Sequence, residues 1–465
     1  MSNILKVLAI LVGKAIILAS RLAGHQGSNL PGKAAARIYP PLLQVLSRNI
    51  IRSTMVITGT NGKTTTANMV AAIIRAQGNT FVHNQAGANM IPGITTAFIN
   101  SSNWLGNRQL DYALLETDEA NVPLLLQVMK PRYLLITNFF RDQLDRFGEL
   151  DYTIGLIKDA VKGTGIELVL NGDDPLQSDF AAATGLHCWY YGFADTNYDS
   201  LTGADSREGR FCVICGQELE YVRFHYAQLG VFKCPGCGNT NPHPDFQAHW
   251  LRLTPNISFE VNNLAVESPY QGFYNAYNLL AAVALARLTG MDTEVIQKAL
   301  AEFRPQAGRM ETFAIKGKKI ILILIKNPTG FNQSLNMLGM DPAPKNLFLA
   351  LNDNVADGRD VSWIWDADVE ILAQELDTIN RVICSGQRSG DMAVRVKYAG
   401  IPADKICIQS DLEDGITAAV DEESVLSYIF CTYTALFASR KILNKLQQQY
   451  YAPQAGGTSL PRRST

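Results

Sequence analysis

The sequence has no excess of either charge. It carries 41 Lys and Arg against 43 Asp and Glu in 465 residues, a formal net charge of −2. No global field therefore draws the chain to nucleic acid or to anionic lipid. A long uncharged apolar run is also missing. Residues 4–22 are strongly apolar, but Lys6, Lys14 and Arg21 interrupt them, and the unbroken stretch Val7 to Val12 is far short of a spanning helix. No small-residue cleavage site follows, which argues against a signal peptide. Two readings stay open for this segment: a helix packed on the next domain, or one lying in a membrane interface with its lysines at the surface. There is no disulfide framework either. Four of the eight cysteines form two Cys-x-x-Cys pairs, while Cys188, Cys384, Cys407 and Cys431 stand alone in apolar surroundings, as reduced, buried thiols of a cytoplasmic protein do. Internal repeats are absent, and the length suffices for two or three domains.

What the chain does have is Thr58-Gly-Thr-Asn-Gly-Lys-Thr-Thr-Thr66, directly after Met55-Val56-Ile57. A buried strand, a glycine-rich turn and a helix in that order aim several N–H groups at one anion. Gly59 and Gly62 permit the tight turn, and Thr60, Asn61 and Thr65 complete the phosphate cradle. Lys63 is placed to reach the β- and γ-phosphates of ATP, and the Thr64 hydroxyl to hold Mg²⁺. The generic Walker spacing would put a further glycine at position 57, which is Ile.

After residue 50, strand-like runs alternate with helical ones. Tyr112–Leu115 ends in Glu116, Tyr133–Thr137 in Asn138, and Glu167–Leu170 in Asn171-Gly172-Asp173-Asp174. Polar residues at the ends of apolar strands mark a parallel α/β sheet with its ligands at the carboxyl edge. The expected organisation is an apolar helical segment over 1–45, an ATP-binding α/β domain over 46–305, a smaller Rossmann-like α/β domain over 306–448, and a disordered tail over 449–465.

Composition shifts between about 205 and 250. Cys212-x-x-Cys215-Gly and Cys234-x-x-Cys237-Gly are matching knuckles with 18 residues between them. Four thiolates at this spacing close a tetrahedral Zn²⁺ site with no open position. No βαβ context or dense basic patch surrounds them, so the reading is a structural zinc ribbon that folds an insertion too small for its own core.

The Gly-Thr-Asn-Gly-Lys-Thr form resembles the Mur ligases, ATP-dependent enzymes that join an amine to a carboxylate. So do three later segments. Leu114-Leu-Glu116-Thr-Asp-Glu119 is similar to the family segment whose glutamate binds Mg²⁺. Gln271-Gly-Phe-Tyr-Asn275-Ala-Tyr-Asn278 is similar to a helix opening whose asparagines contact adenine. Gly308-Arg309-Met-Glu311 is similar to the domain boundary whose arginine reaches the nucleotide on closure. The resemblance implies a P-loop Mur ligase central domain carrying the zinc ribbon, with Lys63 and Glu116 in the catalytic machinery.

The departures narrow it further. Gln143 stands where the family usually has a metal-holding histidine, and Lys233 is the one lysine between Lys162 and Lys298, which argues against a carbamylated lysine. About 50 residues precede the phosphate loop, too few for a UDP-binding domain, so a lipid-linked substrate is expected. The acidic segment Asp353-Asn-Val-Ala-Asp357-Gly-Arg-Asp360, with Ser385-Gly-Gln-Arg388 after it, resembles amidating members of the family. That resemblance implies amidation of the D-glutamate α-carboxylate of the lipid II stem peptide, with ammonia from a glutaminase. A glutaminase needs a cysteine on a tight Gly-x-Cys-x-Gly turn and a histidine. This chain has no such turn, and no histidine follows His249. A separate GatD-type glutamine amidotransferase subunit is therefore expected, with Asp353, or else Asp357, orienting its histidine. A place at the inner face of the cell membrane would follow. The rival expectation is an autonomous ligase of the Mur or folylpolyglutamate type that takes a free amino acid.

Overall fold

The computed structural model describes residues 2–22, 29–84, 88–140, 150–201, 208–304, 309–338, 342–421 and 426–451. The chain divides into two compact units at Arg304 and Pro305. The expectations for Gln143 and for the tail beyond residue 451 fall outside the described residues.

The first unit is built on nine strands. They are β1 (Ile50–Thr58), β2 (Phe81–His83), β3 (Leu110–Glu116), β4 (Tyr133–Ile136), β5 (Glu167–Asn171) and β6 (Cys188–Phe193), and then β9 (Phe246–Arg252), β10 (Ile257–Val261) and β11 (Leu264–Ser268), in the order β11-β10-β9-β6-β5-β4-β1-β3-β2. From β2 to β9 every pairing is parallel, and β10 and β11 add an antiparallel edge. The central strands read as near-continuous Val, Ile and Leu because both faces are covered. Met55 and Ile57 face the helices α4 (Lys63–Ala76) and Phe273–Leu288, while Val56 faces α5 (Ile91–Ser101) and Leu150–Val161. Strand β1 lies between β3 and β4, so chain order reverses beside it. That reversal opens a crevice at the carboxyl end of β1, where the phosphate loop begins.

The N-terminal segment belongs to this unit. It forms α1 (Ser2–Leu22), α2 (Leu30–Ile38) and α3 (Leu42–Ser47), and Ala9, Ile10, Ile17 and Leu46 join the same core as Ile99. The ribbon consists of β7 (Glu220–Tyr226) paired with β8 (Leu229–Lys233), flanked by the two knuckles. Phe246–Arg252 forms β9 of the main sheet.

The second unit is a six-stranded sheet with β12 (Arg309–Ile315), β13 (Lys318–Leu324), β14 (Lys345–Ala350), β15 (Ile379–Ser385), β16 (Ile406–Ile408) and β17 (Leu426–Cys431), in the order β12-β13-β17-β14-β15-β16. All pairs are parallel except β12 with β13. Of the isolated cysteines, Cys384 and Cys431 are buried as expected, whereas Cys188, at the start of β6, and Cys407, on the edge strand β16, are only half-buried.

Candidate active site

The phosphate loop is held open by its neighbours. Gly62 precedes α4 with φ +88°, a left-handed backbone that favours glycine. A Cβ on Gly62 would stand 2.0 Å from Asn278 Oδ1, so a larger residue cannot fit there. Gly59, at φ +115°, leaves equally little room against Thr137 and Asn138. The loop is latched to the end of β4: Thr60 N donates to Asn138 O at 3.0 Å, and Asn61 N to Asn138 Oδ1 at 2.9 Å. The Asn138 amide returns a bond to Asn61 O at 3.0 Å. Thr60 Oγ1 accepts from Phe140 N at 3.1 Å. The first-turn N–H groups of Lys63, Thr64 and Thr65 lie ahead of the helical i→i−4 ladder, at the positive end of α4. Preorganised donors of this kind suit a phosphate group.

The cations and carboxylates expected at that site are brought together. The Thr64 hydroxyl donates to Glu116 Oε1 at 2.9 Å. Lys63 Nζ lies against the carbonyls of Gly59 and Thr60 and pairs with Glu119 Oε2 at 3.1 Å, with both side chains nearly buried. Glu116 is fixed through its own backbone, since its N–H donates to Asn84 Oδ1 at 2.9 Å and its carbonyl accepts from Asn84 Nδ2 at 2.7 Å. One hydroxyl and one carboxylate oxygen at the mouth of a phosphate loop are a hard-cation donor set of the kind Mg²⁺ takes beside phosphates. Asn278 sits over Gly62 and accepts from Thr66 Oγ1 at 3.4 Å, and its amide donates to Asn275 Oδ1 at 3.2 Å. Arg309 opens β12 of the second unit, and its side chain lies outside the described residues.

The specific bonds of several supports are not evident from the sequence, although Asn138 and the Asn-Gly-Asp-Asp turn stand at strand ends there. Glu119 shares a run with Glu116 but was assigned no role. Asn84 and Asn138 act through backbone bonds across the sheet. The Asn-Gly-Asp-Asp turn after β5 is another. Asp173 Oδ2 accepts from Tyr277 OH and Phe193 N, each at 2.8 Å, which ties the turn to the helix bearing Asn275 and Asn278. Burial pushes its carboxyl up. Burial raises Asp174 to about 6, against the hydrogen bonds it accepts from Gln177, Phe139 and Leu176.

The four ribbon cysteines converge. All four Sγ atoms lie within 4.8 Å of one another, with Cys212 and Cys237 at 3.6 Å and Cys215 and Cys234 at 3.3 Å. A tetrahedral zinc with ~2.3 Å bonds sets its sulfurs ~3.8 Å apart, so the cluster fits that ion. Ile214 N points at Cys212 Sγ at 3.4 Å, a backbone donor of the kind that favours a thiolate. Thiolate character is what a metal needs.

In the second unit, the ends of β14, β15 and β17 converge. Asp353 Oδ2 accepts from Arg388 Nε at 2.8 Å and Nη2 at 2.7 Å. Asp357 is buried, and both of its oxygens are engaged by Thr434: Oδ1 accepts from the backbone N–H at 2.7 Å and Oδ2 from the hydroxyl. It caps the helix Tyr433–Tyr451. The two aspartates weighed for one role therefore differ in kind.

Residues 57–234 match the Mur ligase middle domain, and residues 324–436 the MurT ligase C-terminal family. The pseudomurein peptide ligase type C of Methanothermus fervidus superposes with a TM-score of 0.66 at 22% identity, covering 86% of this chain and 80% of that one. The folylpolyglutamate synthase of Mycobacterium tuberculosis superposes at 0.56 and 14% identity, covering 86% and 95%. These two likenesses establish the fold. In sequence, the chain is 37% identical to the MurT subunit of the glutamine-hydrolyzing lipid II isoglutaminyl synthase of Streptococcus pneumoniae, over 96% of this chain and 98% of that one. It is 33% identical to the Staphylococcus aureus subunit of the same name, over 94% and 97%. With identity of this degree along nearly the whole of both chains, the protein belongs to the family of MurT subunits of lipid II isoglutaminyl synthase.

Proposed function

We propose that this chain is the ATP-dependent amidating subunit of a lipid II isoglutaminyl synthase. The observation that carries the reading is the near full-length identity to subunits of that name, in a chain whose Lys63, Thr64 and Glu116 meet at one phosphate loop. The substrate is the D-glutamate α-carboxylate of the lipid II stem peptide. A carboxylate oxygen attacks the γ-phosphorus of ATP, ADP leaves, and an acyl phosphate forms. The nitrogen of ammonia then attacks the acyl carbon, phosphate leaves, and the nitrogen loses a proton.

Mg²⁺ at this site would supply charge neutralisation between the phosphates. The chain's own residues do the rest. The loop N–H groups and Lys63 bind the phosphate oxygens and stabilise the charge that develops on transfer. Thr64 and Glu116 would hold the metal, with the Glu116 backbone fixed by Asn84. Asn275 and Asn278 line the nucleotide side, and Arg309 is assigned to the nucleotide by the family resemblance. Cys212, Cys215, Cys234 and Cys237 hold a structural Zn²⁺.

Ammonia is assigned to a separate GatD-type glutaminase, a reading supported by a sequence with no Gly-x-Cys-x-Gly turn and no histidine after His249. Asp353 is assigned to orient that partner's histidine, with Asp357, whose oxygens accept from Thr434, as the next candidate. The reaction runs at the inner face of the membrane, where a lipid-linked substrate is held.

The test is to incubate the purified chain with lipid II, Mg-ATP and ammonium, and to follow substrate mass and ADP. A product about one mass unit lighter, with matching ADP, supports the reading. A gain the size of an amino acid, on adding some free amino acid, overturns it for an autonomous ligase.

A further inference from the structure

The overall charge of −2 conceals a split. The first 110 residues carry ten of the Lys and Arg and none of the Asp and Glu; Asp111 is the first acid of the chain. The same segment contains the most apolar helix. Asn3–Leu22 is long and apolar enough to cross a membrane, yet only part of it is buried. Its inward stripe, Ala9, Ile10, Gly13 and Ile17, packs on the domain, and a Cβ on Gly13 would lie 2.9 Å from Ile99 Cδ1. So close a fit holds α1 along the domain rather than across a bilayer.

The outward stripe is apolar as well. Ile4, Leu8, Leu11, Leu18 and Leu22 follow one another at helical spacing and are 40–82% exposed. Beside them stands the turn after α5. Trp104 and Leu105 are 62% and 58% exposed, and a Cβ on the next residue, Gly106, would lie 2.5 Å from Ile10 Cδ1. Lys14 Nζ donates to Ser102 O at 2.7 Å and stands 5.5 Å from the centre of the Trp104 ring. Every charge on α1, on α2 and on this turn is positive: Lys6, Lys14, Arg21, Lys33, Arg37 and Arg108.

A large exposed apolar strip requires a cover. Here the surrounding charge identifies it. A second copy would bring the same cations and be repelled. An anionic lipid surface matches both features, since apolar side chains and a tryptophan enter the headgroup boundary while Lys and Arg meet lipid phosphates. We propose that the outward face of α1, with the Trp104–Leu105 turn, docks this chain in-plane on an anionic bilayer. The proposal rests on the lipid-linked substrate of the preceding section for its purpose. It rests on the exposed stripe and the acid-free segment for its geometry.

The experiment is sedimentation of the full-length chain with vesicles free of lipid II, either phosphatidylcholine alone or with phosphatidylglycerol. The expected result is partition onto the anionic vesicles about tenfold stronger, falling as salt rises. Leu8→Glu/Leu18→Glu, and separately Trp104→Glu, should each weaken it about tenfold while lipid II amidation in detergent micelles is unchanged. Melting curves check that both variants fold, and Trp104→Glu leaves α1 intact. Equal partition to both vesicle types, no binding, or variants that bind like wild type would overturn the proposal. So would a concentration-dependent dimer dissolved by the leucine changes, which would give the stripe to a second copy. Vesicle binding without any amidation in micelles would sink the assigned reaction and leave the docking face standing.

Discussion

The Thr64 hydroxyl and the Glu116 carboxylate meet at 2.9 Å, joining the first turn of α4 to the end of β3, the strand beside β1. A metal between them needs the charge on Glu116 and the oxygen on Thr64. Glu116→Gln keeps the shape and removes the charge. It should lower ADP formation about 10²-fold or more, with a raised Mg²⁺ requirement, while Thr64→Ser stays within a few-fold of wild type. Steady-state ADP release across a magnesium titration checks this.

Lys63 and Glu119 form a nearly buried ion pair at the phosphate site. Removing one partner of such a pair leaves the other charge uncompensated. In Lys63→Met the Glu119 carboxylate would then face phosphate oxygens directly. The variant should lose ATP binding as well as turnover, with kcat/KM down about 10³-fold. Lys63→Met/Glu119→Gln should regain nucleotide binding but not turnover. Calorimetric titration with a non-hydrolysable ATP analogue separates the two.

The ribbon's own core cluster has four buried members, Cys212, Leu219, Phe232 and Cys234, too few to hold a fold without a cross-link. The purified chain should contain about one zinc. Cys237→Ser should lose most of it and become sensitive to proteolysis between residues 208 and 245, while ATP binding is kept. Metal analysis with limited proteolysis would detect this, and a zinc-free wild type that resists cleavage contradicts it.

Where the chemistry sits in a short window, the sequence is readable. Residues 58–66 and Glu116 carry side chains whose types and spacing suit phosphate and metal, and the Thr64–Glu116 bond joins the loop to the strand end. Asn84 and Asn138 were not legible as supports, because their bonds run to residues 32 and 77 positions away. Nothing local marks such an asparagine. The β10–β11 edge was legible in principle: Asn262 and Asn263 take φ of +48° and +60° between two apolar runs, a two-residue hairpin signal that the α/β rhythm around it obscured. Asp353 and Asp357 look alike in sequence, and only the approach of Thr434 separates them.

Asp174 supplies a pH dependence. Its carboxyl is raised from 3.8 to about 6 by burial, so between those values the folded chain keeps a proton that the unfolded chain releases. The group's stabilising contribution is complete below about pH 4 and is lost as pH rises through 6, by at most about 1.4 kcal/mol per pH unit. Gln177 Nε2 donates to Asp174 Oδ2 at 3.0 Å and favours the ionised form. Gln177→Leu should therefore cost more stability at pH 8 than at pH 4.5. Urea midpoints of both proteins at the two pH values measure the difference, and an equal cost at both would contradict the assignment.

Asp353 and Asp357 give the sharpest separation of roles. Asp357 holds the first turn of the helix Tyr433–Tyr451, so Asp357→Ala should cost about 1–2 kcal/mol in stability, as loss of a helix cap does. Both nitrogen sources should then fail together as the second unit loosens. Asp353 Oδ2 accepts from Arg388 at a half-exposed position. In Asp353→Asn the fold should stay intact and ammonium-driven amidation unchanged. Glutamine-driven amidation with the glutaminase subunit should fall about 10²-fold or more, because a histidine without its carboxylate loses its orientation and tautomer. Parallel assays with ammonium and with glutamine, beside melting curves, decide between them. Equal loss with both sources in Asp353→Asn would remove that residue from the partner's chemistry.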